Sequence, residues 1–208
     1  QKIPHEEIEF SPVNDLLLID SEIGNDFATK HRIPKIGGRK NLEILCYLKK
    51  LPHKLGDLFG GDESLYIRTS GNYWYNAFLE IPYKSTEIKS FSVKNKYFVF
   101  CLINSNVYYW WLRIYGDGRH NNKDIMDSFR LPKMDLIQNH NDLWEKLALA
   151  HWQKMQSVFN AQHNFFATSQ IKDCVDILDY HICLKVLGFD MDILKYICDY
   201  DSNIRGGI

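Results

Sequence analysis

The chain has 208 residues, of which 45% are hydrophobic and 14% are aromatic. This size and composition suit one domain, or one domain with a helical appendage, and they argue against an intrinsically disordered chain. The formal net charge of −1 excludes a polycation that binds nucleic acid over its whole surface, so any DNA binding must come from a local basic face.

Residues 1–50 predict an extended N-terminal segment followed by one helix. The segment covers residues 1–25, in which the apolar run 16–19 could form a short buried strand. A basic loop at 31–39 then leads to a helix near 41–50, with Asn41 as its N-cap and Pro52 ending it. The residues expected to share its apolar face are Leu42, Leu45, Cys46 and Lys49.

Residues 64–93 predict β-strands. The segments 66–68 and 73–81 are rich in aromatic and branched residues and flank a turn at 70–72, and residues 89–93 alternate between apolar and polar. Tyr73, Trp74 and Tyr75 could stack on bases, but the default for alternating aromatics is that at least one face packs in the core.

Residues 95–115 are rich in Tyr, Phe, Val and Trp, and their propensity alone favours a strand. The longest apolar run, 97–103, is too short to span a bilayer, so we expect no membrane partner. The five cysteines are scattered and contain no Cys-x-x-Cys pair, which indicates reduced thiols in a cytosolic protein.

A glycine-bracketed turn, 116–118, follows the aromatic block 108–111. Glycine lets a backbone approach a groove closely, and the turn delivers Arg119, His120, Asn121 and Lys123. Arginine can donate two parallel hydrogen bonds to the acceptor edge of guanine, so Arg119 is the first candidate for a base contact. Alternatively, Arg119 is solvated or pairs with Asp117 or Asp124, and Asn121 or Asn122 caps a helix that starts near Lys123.

The last third predicts three helices. Asn141 is expected to cap the first, whose apolar stripe contains Leu143, Leu147, Ala150, Met155 and Phe159. The second runs from about Ser169 to Gly188, and the third begins at Asp190. The stripe of the second consists of Ile171, Cys174, Val175, Leu178, Ile182 and Val186.

Several of these motifs together resemble the target-recognition region of adenine-specific DNA methyltransferases from type II restriction–modification systems, some of which are fused to a nuclease. The motifs are Asn104-Ser105 with the aromatics after it, Gly118-Arg119-His120, and Phe129-Arg130-Leu131-Pro132. The segment 65–68 with 71–74 resembles the strand and turn that open this region, and 193–205 resembles its C-terminal end. The resemblance spans roughly residues 30–205.

The resemblance implies that 95–115 forms two short helices broken at Asn104-Ser105, with Ser105 or Asn106 capping the second. Together with the patterns above, it predicts an α+β fold, in which a mixed sheet with short helices precedes a helical C-terminal bundle. The expected divisions are a segment at 1–25 from an N-terminal catalytic domain, a DNA target-recognition domain at 26–136, and a helical subdomain at 137–208.

The catalytic motifs of the family are absent. Neither its Asn-Pro-Pro-Tyr-type motif nor its glycine-containing loop for the methyl donor occurs, and the chain has no Pro-Pro pair. We therefore expect a non-catalytic fragment that binds no cofactor itself, with S-adenosylmethionine implied for the complete enzyme. The expected partners are double-stranded DNA and the N-terminal methyltransferase domain of the same polypeptide, in the cytoplasm of a bacterium or archaeon.

Basic residues outside the turn are candidates for phosphate contacts, which position a protein on DNA without reading its sequence. For each of them, ordinary surface charge is the alternative. They are Lys35, Arg39, Arg68, Lys84, Lys94, Lys96, Arg130 and Lys133.

Two other functions are weighed against DNA recognition. A nuclease is suggested by Glu87-Ile88-Lys89, with Asp57 or Asp62 as an upstream carboxylate, or by His120-Asn121 followed by His140. A protein-interaction module is suggested by the near-neutral net charge.

Overall fold

A computed structural model of the chain describes residues 27–29, 32–70 and 77–200. These residues form an α+β structure in which helices predominate, as the sequence predicts. Three predicted features lie outside the described residues. They are the N-terminal segment 1–25, the predicted turn and aromatics within 71–76, and the end of the C-terminal motif at 201–205.

The helices and strands are named here in chain order. They are α1 (Arg39–Lys49), β1 (His53–Lys54), β2 (Phe59–Arg68), β3 (Ala77–Phe78), β4 (Ile88–Val93), α2 (Lys96–Ile103), α3 (Asn106–Tyr115), α4 (Lys123–Ser128), β5 (Arg130–Leu131), α5 (Met134–Gln138), α6 (Asn141–Ser157), β6 (Phe159–Asn160), β7 (Phe165–Phe166), α7 (Lys172–Asp179) and α8 (Met191–Asp199). Short 3-10 helices occur at Leu55–Leu58 and Thr168–Ile171, and a π-helix at Tyr180–Val186 continues α7.

The strands form small antiparallel sheets. The largest has the order β3-β2-β4, with Tyr66 opposite Phe78 on one side and Ser90 on the other. Two further pairs, β1 with β5 and β6 with β7, complete the sheets of the described residues. Every strand pairing described is therefore antiparallel, where we expected a mixed sheet.

Two helices replace the strand that propensity favours at 95–115. The side chain of Asn95 accepts from the backbone N–H of Phe98 at the start of α2, and Ser105 Oγ accepts from that of Tyr108 at the start of α3. Nearly every side chain of both helices is buried. Burial on all sides outweighs β propensity here, and the break at Asn104-Ser105 that the resemblance implies is confirmed; of the two caps expected, Ser105 and Asn106, the cap is Ser105.

The prediction that Asn41 caps α1 is wrong. The helix begins at Arg39, and Asn41 lies buried inside it, where its Oδ1 accepts from Trp110 Nε1 and from Tyr196 Oη, both at 2.8 Å. The buried face consists of Asn41, Ile44, Leu45 and Leu48, so it is rotated from the predicted one, and Cys46 is exposed. A buried amide is tolerated because two distant side chains satisfy it.

Helices form in all three predicted regions of the last third, but α6 ends at Ser157, so the predicted Phe159 lies in β6, and α6 buries a partly different face. Its buried residues are Trp144, Ala148, His151, Trp152 and Met155, and the predicted Ala150 is exposed. The buried face carries Trp144, whose indole packs edge-on against Phe98 with 5.2 Å between the ring centroids. Asn141 is also not the cap, because its Oδ1 accepts from Asn95 Nδ2 at 2.8 Å.

The predicted stripe of the second helix is confirmed for five residues, since Ile171, Val175, Leu178, Ile182 and Val186 are buried and Cys174 is only partly so. Gly188 follows at a φ of +70°, and the side chain of Asp190 caps α8 by accepting from the N–H of Ile193.

One hydrophobic core joins the regions on both sides of residue 137. Phe98 and Phe100 of α2 contact Trp144 and His151 of α6. All five cysteines are free thiols. Among the described helices, none is long and apolar enough to cross a membrane.

Candidate nucleic-acid interface

The recognition turn, residues 116–121, extends from the C-terminal end of α3. The N–H of Gly116 donates to the carbonyl oxygen of Leu112 at 2.7 Å, and a Cβ on Gly116 would lie only 2.4 Å from that oxygen. Gly118 has a φ of +80°, and a Cβ there would lie 2.6 Å from Nη1 of Arg113. Gly116 thus leaves no room for a Cβ beside the backbone, and the left-handed backbone at Gly118 favours glycine, which explains the bracketed pattern seen in the sequence.

Asp117 organises this turn from within. Its Oδ1 accepts from the backbone N–H groups of Arg119 and His120, both at 2.8 Å, and its Oδ2 lies 2.7 Å from His120 Nδ1. The hydrogen bond from His120 lowers the pKa of Asp117 well below its ordinary value. Asp117 therefore stays ionised and rigidly held at neutral pH.

The two acids expected as alternatives to pair with Arg119 do not contact its guanidinium. Asp117 contacts only the backbone of Arg119, and Asp124 is paired with Arg32 at 2.8 Å. Within the described part of the chain, Arg119 makes no side-chain hydrogen bond or ion pair, and the residue is exposed. The alternative that it pairs with one of these two acids is therefore wrong.

The recognition turn also docks against the end of β2. Ser70 forms a β-bridge with His120, and the N–H of Asn121 donates to the carbonyl oxygen of Thr69 at 2.9 Å. Arg68 donates from Nε to the carbonyl oxygen of Ser70 and from Nη2 to Glu87 Oε2, at 2.8 and 2.9 Å. The sheet thus places Arg68 beside the turn, with one carboxylate holding it.

Asn121 was predicted to contact DNA, but only 1% of it is exposed. Its Oδ1 accepts from Tyr108 Oη at 2.7 Å, so it ties the turn to the aromatic block, and its Nδ2 is buried without a partner in the described structure. A side chain buried in this way cannot reach a base edge, and the prediction is corrected to an anchoring role. Asn122 occupies the N-cap position of α4, but its side chain makes no capping hydrogen bond.

Lys35 is held against the recognition turn by hydrogen bonds. Its Nζ donates to the carbonyl oxygen of Gly116 and its backbone N–H to that of Ile114. These contacts use the partial negative charge at the C-terminal end of α3 to hold the lysine next to the turn.

Four other predicted cations are not joined to the turn by the contacts described. Lys123 pairs with Asp127 at 2.6 Å and lies over the ring of Phe59. Arg130 is half-buried in β5, opposite Lys54. Arg39 begins α1 and Lys133 precedes α5, and both are exposed.

Sequence reasoning missed Arg113. It lies in the last turn of α3, and its guanidinium packs against Gly118. Its spacing, one helical turn before the glycines, could have indicated it. The cations Lys35, Arg68, Arg113 and Arg119 and the carboxylates Asp117 and Glu87 all lie in or beside the turn.

The geometry does not support a nuclease centre in the described residues. Glu87 is paired with Arg68, and Asp57 accepts from the N–H of Lys54. The one group of potential metal ligands found in this part of the chain is Asp176, Asp179 and Cys198, which does not include Glu87, His120 or His140.

Asp179 of this group already has hydrogen-bond partners within the protein. Asp179 is fully buried and accepts from the N–H and the Nδ2 of Asn106 at 2.7 and 2.6 Å, so both its oxygens are used at the start of α3.

Comparisons with protein-family models, with curated proteins and with solved structures found no match for this chain.

Proposed function

We propose that this chain is the sequence-specific DNA recognition domain of an adenine-specific DNA methyltransferase from a type II restriction–modification system. The observation that carries the proposal is the exposed Arg119, which has no partner in the described structure and which projects from a rigid, glycine-bracketed turn. The family resemblance of the surrounding motifs supplies the enzyme class.

Arg119 has the chemistry for reading a base. Its planar guanidinium can donate two parallel hydrogen bonds to N7 and O6 of a guanine in the major groove. The turn is held at three points, by the Leu112 carbonyl, the Asp117 carboxylate and the Thr69 carbonyl. This rigidity supports specificity, because a loosely held arginine would contact several base pairs equally well.

The neighbouring cations are suited to phosphate contacts. Beside the turn, Lys35 donates to the carbonyl oxygen of Gly116, and Arg68 donates both to the carbonyl oxygen of Ser70 and to Glu87 Oε2. A contact of this kind positions the protein without reading sequence and makes the affinity salt-dependent. The formal net charge of −1 predicts weak DNA binding by this chain alone.

In this proposal, catalysis belongs to a methyltransferase domain of the same polypeptide. That domain binds S-adenosylmethionine and flips out the target adenine, while the recognition domain holds the site. The complete enzyme acts in the cytoplasm of a bacterium or archaeon.

The test measures binding of the 208-residue chain to a pool of randomised duplex DNA by fluorescence anisotropy, at several salt concentrations. We expect weak binding whose logarithm falls with the logarithm of salt, with a slope of about −0.9 for each phosphate neutralised. The DNA sequences recovered from the pool in complex with the chain should share a guanine. Sequences recovered with the Arg119→Ala variant should not share it.

The matched control is Lys154→Ala, which removes one positive charge from the exposed surface of α6. If binding does not depend on salt, or if Arg119→Ala and Lys154→Ala have the same effect, the proposal fails.

A further inference from the structure

The exposed imidazole of His120 has a defined pattern of hydrogen-bond donor and acceptor. Its Nδ1 lies 2.7 Å from Oδ2 of Asp117, and 52% of the His120 side chain is exposed. Asp117 is ionised, and an ionised carboxylate can only accept, so the proton of this hydrogen bond belongs to Nδ1. In the neutral ring the other nitrogen, Nε2, then has no proton and acts as an acceptor.

The same carboxylate also holds the backbone that carries the ring. The N–H of His120 donates to Oδ1 of Asp117 at 2.8 Å, and the backbone of His120 pairs with that of Ser70 at the end of β2. Among the described residues, Asp117 is the only hydrogen-bond partner of the His120 side chain. Nε2 is therefore an acceptor on a held ring, without a partner in this part of the chain.

An acceptor of this kind distinguishes the bases in the major groove. Adenine presents an amino group at N6 and cytosine at N4, whereas guanine O6 and thymine O4 are acceptors. Every base pair thus has its amino group on one strand and its keto oxygen on the other. Nε2 can form a hydrogen bond with the first group, while facing the second would leave two acceptors unpaired.

We propose that His120 is a second base-reading residue, whose Nε2 accepts a hydrogen bond from the exocyclic amine of an adenine or cytosine in the base pair next to the guanine of Arg119. Consecutive Cα atoms are about 3.8 Å apart and consecutive base pairs about 3.4 Å, so neighbouring residues match neighbouring pairs. The inference rests on the proposed DNA recognition and deepens it by naming a second position of the recognised site.

The test is selection from a randomised duplex pool by the 208-residue chain, followed by sequencing, in alkaline buffer where imidazoles are neutral. Beside the guanine, one strand should carry adenine or cytosine about tenfold more often than guanine or thymine, and the base recovered identifies which amine is read. His120→Ala should abolish this preference and keep the guanine. His120→Lys, whose side chain only donates, should reverse the preference to guanine or thymine, which a merely structural residue would not do.

The matched control is His163→Ala. His163 is an exposed histidine whose described hydrogen bonds to Asn160 come from its backbone N–H, so its loss should leave every preference unchanged. The bonds from the turn backbone to Asp117 also remain possible in both His120 variants, because they come from N–H groups. Thermal unfolding checks each variant, and if His120→Lys fails to fold, His120→Ala decides.

Two kinds of failure are distinguishable. If the chain selects a guanine that depends on Arg119 but shows no preference beside it, or one that the His120 variants leave unaltered, this inference is wrong and the proposed function stands. A uniform loss of affinity for all sequences in His120→Ala also overturns it, because that result marks a phosphate contact. If no sequence is selected at all, the proposed function fails and this inference fails with it.

Discussion

Three glycines allow the backbone of the recognition turn to be tested against matched controls. Gly118 has a φ of +80°, and an added Cβ would lie 2.6 Å from Arg113 Nη1; Gly60 has a φ of +79° with nothing within 4 Å; and Gly37 has nothing within 4 Å and no such φ. Gly118→Ala therefore measures backbone strain together with a side-chain contact, and Gly60→Ala measures backbone strain alone. Gly37→Ala introduces neither.

The expected magnitudes follow from these differences. A left-handed backbone costs an alanine about 1–2 kcal/mol relative to glycine, and the reduced freedom of the unfolded chain returns about 0.4–1 kcal/mol. Gly60→Ala should therefore lower the free energy of unfolding by about 1 kcal/mol, and Gly37→Ala should raise it by a few tenths. Gly118→Ala should resemble Gly60→Ala, because the end of the Arg113 side chain is flexible and can move away.

Urea denaturation gives the free energy of unfolding of all three variants. DNA-binding affinity then distinguishes Gly118→Ala from Gly60→Ala. Gly118→Ala moves both the turn and Arg113, so it should weaken DNA binding, whereas Gly60→Ala at equal stability should not. If Gly118→Ala is as stable as Gly37→Ala, the left-handed turn is absent and the reasoning about Arg119 falls with it.

Three further predictions concern function and pH. In the complete enzyme, Arg119→Ala should relax one position of the recognised site by about 1–3 kcal/mol of discrimination, measured by methylation of a library of single-base variants; a uniform decrease over all sequences would mark a phosphate contact instead. The chain alone should not bind S-adenosylmethionine, and stoichiometric heat in a calorimetric titration would contradict this. Burial raises the pKa of Asp179 to about 7, so the stability it provides is complete below its unfolded pKa near 3.8 and is lost as the pH rises to about 7. The loss is about 4 kcal/mol, and Asp179→Asn should flatten the dependence of unfolding free energy on pH between 4 and 8, with an unchanged slope refuting the assignment.

The cap at Ser105 was expected from the family resemblance, because propensity alone favours a strand at 95–115. Local patterns did predict the start of α8 at Asp190 and the glycines of the recognition turn, and the structure has both. Such short-range rules work because the partner of each group is fixed by helical or turn geometry alone.

Patterns of polarity did not predict which amides are buried. Asn41 and Asn121 were both expected at the surface, as a cap and as a DNA contact. The partners that allow their burial are aromatic side chains 69 and 155 residues away for Asn41, and 13 residues away for Asn121. No local periodicity encodes these contacts, which arise only when α1, α3 and α8 pack together.

The helix α3 connects the hydrophobic core to the recognition turn. Its N-terminal end is fixed in the core, and its C-terminal end continues into the turn. At its start, Asp179 accepts two hydrogen bonds from Asn106, which fixes the N-terminal end in the core. Along its length, Tyr108, Trp110 and Trp111 are at most 3% exposed, so the helix cannot shift without disturbing the core packing. At its end, the buried helix continues directly into the turn that presents Arg119. A side chain that reads one base pair must be held to a fraction of an ångström, and a helix enclosed by the core provides that precision better than a loop on the surface does. The aromatic block therefore supports the recognition turn, which presents the exposed Arg119 at the surface.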